Sequence, residues 1–288
     1  MIAITGATGQ LGRATLQALL PQVGAPNLVA VVRDPQKAQD LRPLGVQVRP
    51  GDYDDPAALA AAFQGIDTVL LVSTSEFDYA TRVQQHRNAI DAAKQAGVRH
   101  VVYTSIFRPS AASHFGSNRS HAATEAYLLA SGLTYTLLRN TLYLDLVPMF
   151  VGEGALASGK IYFAAGAGRV SFALREEIAQ ATAHVLATQG HDNKAYDIAP
   201  APPCSFHGIA AVLGEVTGQA VTYVPIAGED LAAGMRQHQV PGPVVAMMGE
   251  LASAIAANEF DASSPDFEQL LGRKPTDLKT YLTAVYGK

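Results

Sequence analysis

The chain has 288 residues, 48% of them hydrophobic and 16% charged, with 21 Lys and Arg against 25 Asp and Glu for a net charge of −4. That length can bury a sizeable core in one large domain or a domain with a small lobe, and an acidic balance without a basic cluster argues against a nucleic-acid partner. The single cysteine, Cys204, excludes an intramolecular disulfide and a cysteine-clustered metal site; with no charged leader before the short apolar start and no apolar run near membrane-span length, a cytoplasmic protein that enters no membrane is expected.

Ile2 to Ile4 reads as a short strand that runs directly into Gly6, Gly9 and Gly12, after which Leu11, Leu16, Leu19 and Leu20 recur with helical spacing. Strand, glycine turn and helix form a dinucleotide site. Gly6 lets the chain turn off the strand, Gly9 lets backbone approach a pyrophosphate, and Gly12 lets the helix pack close to the sheet. The free N–H groups and positive dipole end of the helix then face the phosphates. A tight turn without a ligand would use the same glycines, but their position and flanks favour the nucleotide.

Leu28 to Arg33 reads as a second, fully buried parallel strand with Arg33 at its end. An acid there would take the ribose 2′-hydroxyl of NAD, whereas an arginine can pair with a 2′-phosphate, so the expected cofactor is NADP, used as NADPH. The plainer alternative for Arg33 is a solvated strand-end cation beside Asp34. A short helix over Pro35 to Leu41 and a third strand over Val46 to Arg49 lead to Gly51-Asp52-Tyr53, where Asp52 either meets the adenine or serves the loop. Asp55 is placed to cap the next helix, with Pro56 in its first turn.

A fourth strand, Asp67 to Val72, ends in Ser73-Thr74-Ser75, small side chains that leave room for a ribose and nicotinamide, so Ser73 and Thr74 are expected to line the cofactor. The helix from Arg82 to Ala96 carries His86 and Asn88, read as surface or interface polar groups. The fifth strand, His100 to Thr104, ends at Ser105, and a helix from Ser117 to Ser131 puts His121 and Glu125 four apart on one face. With the sixth strand, Thr134 to Arg139, the alternation predicts an α/β, doubly wound parallel sheet with right-handed crossovers.

Beyond Asn140 the pattern breaks up. It gives an apolar helix over Leu142 to Phe150, turns over Gly152 to Gly168, a helix over Arg175 to Ala187, a strand over Ala195 to Ile198, a helix over Phe206 to Thr217, a strand over Val221 to Pro225 and four closing helices. The expected division is a nucleotide-binding domain over residues 1–145 and, over 146–288, mainly a smaller α/β substrate lobe with some segments returning to the first sheet.

Thr5-Gly-Ala-Thr-Gly-Gln-Leu-Gly12, Val31-Val-Arg33, Gly51-Asp-Tyr53, Tyr103-Thr-Ser105, His121-x-x-x-Glu125 and Leu138-Arg-Asn140, in this order and spacing, resemble the NmrA-like branch of atypical short-chain dehydrogenases/reductases. Within it the chain is similar to the bacterial NAD(P)H:quinone oxidoreductase and triphenylmethane reductase group, end to end through Gly190-His-Asp-Asn-Lys194 and Leu270-Leu-Gly272. The resemblance implies a Rossmann fold and an NADP site built from Gly6, Thr8, Gly9, Gln10, Leu11 and Arg33, closed by Ser73, Thr74 and Ser105 at the end of the fifth strand.

One departure bears on mechanism. The superfamily's Tyr-x-x-x-Lys pair would fall at Ser117 and His121, so both the phenol and the ammonium are missing, and reduction of an ordinary ketone is poorly supported. A quinone or delocalised dye cation accepts hydride readily and can take its proton from water, which makes a small aromatic or quinone acceptor the expected substrate. His121 can donate to a ribose or carbonyl oxygen, or it can simply bond Glu125 or backbone. Asn140 and Tyr143, just past the sixth strand, can border a flat acceptor; with His121 they are the candidate catalytic residues. Phe107, Phe150 and Phe172 are either pocket walls or ordinary core. His191, His207 and His238 lack metal-ligand spacing, and no Gly-x-Ser-x-Gly elbow is present. The sequence therefore points to an NADPH-dependent reductase moving hydride to a quinone or similar conjugated acceptor. The alternative is a catalytically silent NADP-binding redox sensor that regulates a protein partner, and a homodimer stays open in either case.

Overall fold

In the computed structural model, which describes residues 1–287, the first half of the chain alternates as its periodicity dictates. Strand β1 (Ile2–Thr5) is followed by α1 (Gln10–Val23), β2 (Leu28–Val32), β3 (Gln47–Pro50), α2 (Pro56–Ala62), β4 (Thr68–Leu71), α3 (Tyr79–Gln95), β5 (His100–Ile106), α4 (Gly116–Ala130) and β6 (Thr134–Asn140). β2 is buried along its whole length, the mark of a strand covered by helices on both faces.

The later chain gives α5 (Val147–Val151), α6 (Ala155–Ser158), β7 (Lys160–Phe163), β8 (Arg169–Val170), α7 (Arg175–Ala187), β9 (Lys194–Ile198), β10 (Cys204–Ser205), α8 (Phe206–Thr217), β11 (Thr222–Pro225), α9 (Gly228–Gln237), α10 (Gly242–Ala256), α11 (Asp266–Leu271) and α12 (Leu278–Tyr286). The main sheet has seven strands in the order β3-β2-β1-β4-β5-β6-β9, paired in parallel throughout. The chain runs outward from β1 to β3, returns to β4 beside β1, and builds the other half. The connections that leave the carboxyl ends of the paired strands β1 and β4 therefore run to opposite sides and open a crevice, the topological switch point of this architecture.

α1, α7 and α11 cover one face, burying Leu16, Leu19, Ile178 and Phe267. On the opposite face α2, α3 and α4 bury Leu59, Ile90, Tyr103 and Leu128. The second lobe pairs β7 with β11 in parallel and β8 with β10 antiparallel around an aromatic core. There Phe163 stacks on Phe206 with ring centroids 4.7 Å apart, and Phe150 packs beside both. Phe107, Phe150 and Phe172 all belong to this core.

Several segments differ from the sequence reading, among them the unexpected short strands β8 and β10. Residues 152–168 hold α6 and β7 as well as turns. Pro35–Leu44 is a 3-10 segment broken at Ala38, with the Asp34 carboxylate accepting from the Gln36 N–H at its start. The helix expected from Leu142 starts at Val147 after a single 3-10 turn, because backbone bonds from the Ala173 N–H to the Leu142 carbonyl at 3.1 Å and from the Leu144 N–H to the Ala173 carbonyl at 2.8 Å hold Tyr143 extended between them. No helix among the described residues is long and apolar enough to cross a membrane.

Candidate active site

The turn from β1 into α1 shows why each glycine is there. Gly6 has φ +57°, a conformation side chains rarely adopt, and its carbonyl accepts the Gly9 N–H at 2.9 Å. A Cβ on Gly12 would lie 2.4 Å from that same carbonyl, so only glycine lets the first turn of α1 sit on the loop. Gly9 is the N-cap of α1, no side chain caps the helix, and no acidic residue stands in its first turn. The leading N–H groups are thus left for an external acceptor at the positive end of the dipole.

A cleft of about 290 Å³ opens there. Gly6, Thr8 and Gly9 form its floor, Arg33 and Asp52 one end, and Ser73 and Thr74 the other. Gln10 is exposed, and Leu11 and Gly12 are buried; they build the first turn of α1 without lining the cleft. Asp52 serves the loop as well as the wall, since one carboxylate oxygen accepts the Asp54 N–H at 3.1 Å. Asp55 caps α2 through the Ala58 N–H at 3.0 Å.

Sequence reasoning gave no role to several wall residues, among them Lys37 and Tyr53. Lys37 stands on the rim near Arg33, and neither side chain has a carboxylate partner among the described residues. Its signal was its place one turn after Arg33. The Tyr53 phenol donates to the Val72 carbonyl at 2.5 Å and stands 2.6 Å from Thr5 Oγ1, tying β1 to the end of β4; burial raises its pKa.

Behind the Ser73–Thr74 wall lies a network that corrects the sequence reading of His86. That ring is fully buried, because α3 turns its polar positions inward onto α4 and the β4 loop. His86 Nε2 accepts from the Thr74 N–H at 3.1 Å and lies 3.1 Å from Ser73 Oγ, while Nδ1 lies 2.9 Å from Thr124 Oγ1. A backbone N–H can only donate, so Nε2 carries no proton and Nδ1 donates to Thr124. Burial, helped by nearby Arg82, pulls the His86 pKa down to about 3. Asn88, on the outer part of the same helix, donates to the Tyr53 carbonyl at 2.8 Å.

His121 is fixed in the same way. An Arg82 N–H donates to its Nε2 at 3.1 Å, and its Nδ1 lies 2.7 Å from the Tyr103 hydroxyl. A guanidinium never accepts, so the His121 proton sits on Nδ1 and both ring nitrogens are used within the protein. Burial, then Arg82 and His86, hold its pKa well below the ordinary histidine value. Glu125 is engaged elsewhere, accepting from Ser105 Oγ at 2.6 Å and from two nitrogens of Arg139 at 3.0 and 2.8 Å. Ser105 is therefore buried against α4 and does not reach the 290 Å³ cleft lining.

The carboxyl end of β6 carries the other two candidates. Asn140 is 3% exposed, yet among the described residues neither its Oδ1 nor its Nδ2 has a partner, nor does the Thr141 hydroxyl beside it. Buried amides without partners are rare and costly, which keeps this corner a candidate part of the site. Tyr143 lies under the Arg175 guanidinium, 4.5 Å from ring centroid to Cζ, and Arg175 is itself paired with Asp145 at 3.1 Å. Burial raises its phenol pKa. The structure thus joins the glycine turn, Arg33, Asp52, Ser73 and Thr74 in one cleft, sets His121 behind its wall, and leaves Asn140 and Tyr143 at the neighbouring strand ends. No group of His, Cys, Asp and Glu suited to a metal ion is found among the described residues.

Residues 6–152 match the family model described as NAD(P)H-binding. Quinone oxidoreductase 2 of Escherichia coli is 38% identical over 287 residues, covering 100% of this chain and 99% of that protein. Among solved structures, the NADPH-dependent quinone oxidoreductase of Escherichia coli in complex with NADPH superposes with a TM-score of 0.94 at 37% identity, covering 100% of both chains. The Citrobacter sp. triphenylmethane reductase complexed with NADP(H) superposes with a TM-score of 0.93 at 37% identity, covering 99% of this chain and 100% of that one.

Proposed function

The chain belongs to the NAD(P)H-binding family, in its NmrA-like quinone oxidoreductase and triphenylmethane reductase group, and on that premise we propose an NADPH-dependent reductase that passes hydride to a quinone or similar conjugated acceptor. The observation that carries the reading is the switch-point cleft, in which an uncapped helix N-terminus and two rim cations without a carboxylate partner among the described residues face one space. These residues fit NADPH. Gly6, Thr8, Gly9 and the first turn of α1, Gln10 to Gly12, would hold the pyrophosphate, Arg33 and Lys37 the 2′-phosphate, Asp52 the adenosine side, and Ser73 and Thr74 the ribose next to the nicotinamide.

NADPH supplies the hydride when bound, and the acceptor completes its reduction with a proton from water. The chain's own part is to bind, align and exclude solvent. Asn140, with neither amide atom partnered among the described residues, would orient the carboxamide or the acceptor carbonyl, and Tyr143 would border the acceptor with its ring. Ser105 would support that edge from behind through Glu125. His121 would act through Arg82 and Tyr103, since its buried neutral ring has no spare proton at neutral pH. A cytoplasmic address goes with this reading, supported by the lone thiol of Cys204, which has no partner for a disulfide.

The test is loss of NADPH absorbance with a panel of benzoquinones, naphthoquinones and triphenylmethane dyes. Turnover with at least one class, and weaker use of NADH, is the expected result. Tight NADPH binding with no oxidation by any acceptor would contradict the proposal.

A further inference from the structure

Arg82 is the least ordinary side chain in the molecule. It is 9% exposed, no carboxylate among the described residues lies within ion-pairing distance, and its Nε has no partner. Its other nitrogens donate to the Glu76 carbonyl at 3.0 Å, to Ser73 Oγ at 2.7 Å and to His121 Nε2 at 3.1 Å. A buried charge without a counterion is expensive, and a structural strut could be built more cheaply from neutral groups. The ring on which it leans, His121, is locked neutral, as is His86 beyond Ser73. Glu76 acts on the charge from beyond ion-pairing distance, and no ion pair neutralises it among the described residues; it lies one side chain behind the cleft wall.

We propose that Arg82 is a positioning residue that also acts electrostatically. It fixes Ser73 at the nicotinamide end of the cleft and, through its buried charge, favours the neutral reduced nicotinamide over the cationic oxidised one. This rests on the cofactor placement proposed above. A fixed cation near the ring leaves NADPH unaffected to first order and repels NADP⁺, so it holds the bound cofactor in its reduced form, makes it a slightly weaker hydride donor, and speeds release of the oxidised form after transfer. At a separation of one side chain in a partly screened wall, the preference should be roughly five- to tenfold.

Dissociation constants for NADPH, NADP⁺ and 2′-phospho-ADP-ribose, which lacks the nicotinamide, decide the matter. The wild-type protein is expected to bind NADPH about five- to tenfold more tightly than NADP⁺, and NADP⁺ no more tightly than the fragment. Arg82→Met should bring NADPH and NADP⁺ to similar affinity, whereas Arg82→Lys, which keeps the charge, should retain most of the difference. A purely structural Arg82 would weaken all three ligands in proportion and leave the ratio unchanged in Arg82→Met; that result overturns the inference. So does equal wild-type affinity for NADPH and NADP⁺, a measurement that needs no variant to fold. In both cases the cofactor reading survives, while failure of the wild type to bind any of the three would overturn both.

Discussion

At one end of the cleft the chain offers backbone N–H groups of α1 and two exposed cations, Arg33 and Lys37. At the other it offers Ser73 and Thr74, held from behind by Arg82, His86, His121 and Tyr103, all buried and bonded to one another. The first end works in water, where each charge is screened but can move to meet a phosphate. The second works in a low-dielectric interior, where a misplaced proton or a lost partner is felt at full strength. Affinity and cofactor choice should therefore come from the exposed end, and alignment and acid sensitivity from the buried end.

The largest expected effect is at the glycine floor. In Gly9→Val, a branched side chain would fill the space above the first turn of α1, so NADPH binding should fall by more than about 100-fold with the circular dichroism spectrum kept. Retained binding would make the turn purely structural. Next, Arg33→Ala should reduce the preference for NADPH over NADH by about 1.5–3 kcal/mol at low salt and by less at high salt, since the contact is exposed. Isothermal titration with both cofactors at two ionic strengths checks it, and equal affinities in the wild type would remove Arg33 from the site.

The buried end predicts a pH effect. His86 and His121 titrate below the unfolded value of 6.5 when folded, so the unfolded chain binds their protons first as pH falls. Their contribution to stability is complete above pH about 6.5 and is lost below it, for His86 down to its folded pKa of about 3. Between pH 7.5 and 5 urea unfolding should lose on the order of 2 kcal/mol from His86, with a further loss in the same direction from His121. A flat profile over that interval would mean that these rings are free to protonate in the folded state.

The sequence made the switch-point half of the fold legible because each glycine there answers one steric demand and the strands are short, apolar and regularly spaced. Arg33 was readable for the same reason, as its register at the end of β2 fixes where it points. The network behind the wall was not readable. His86 lies on a helix whose polar positions face inward, so a rule that sends polar residues to solvent misplaced it, and the His121–Glu125 spacing suggested a pair that the fold spends on Ser105 and Arg139 instead. Arg82 could not be singled out because nothing local distinguishes a buried arginine from a surface one. In the second lobe, β7 was hidden among glycines and alanines, since its partner β11 lies some sixty residues later.

The smallest expected effect is also the most direct test of the claim that this wall aligns and does not supply a proton. His121→Ala is a poor probe, because it would strand Arg82 and Tyr103 without partners in the interior. Tyr143→Phe keeps the ring and removes the candidate acid. Single-turnover oxidation of NADPH with a saturating quinone, using cofactor deuterated at the transferred position, reports the hydride step itself. The account predicts a primary isotope effect and a loss of less than roughly tenfold in Tyr143→Phe, below the range typical of a positioned general acid. A loss of about a hundredfold or more, with NADPH binding intact, would contradict it and make the Tyr143 phenol the proton donor.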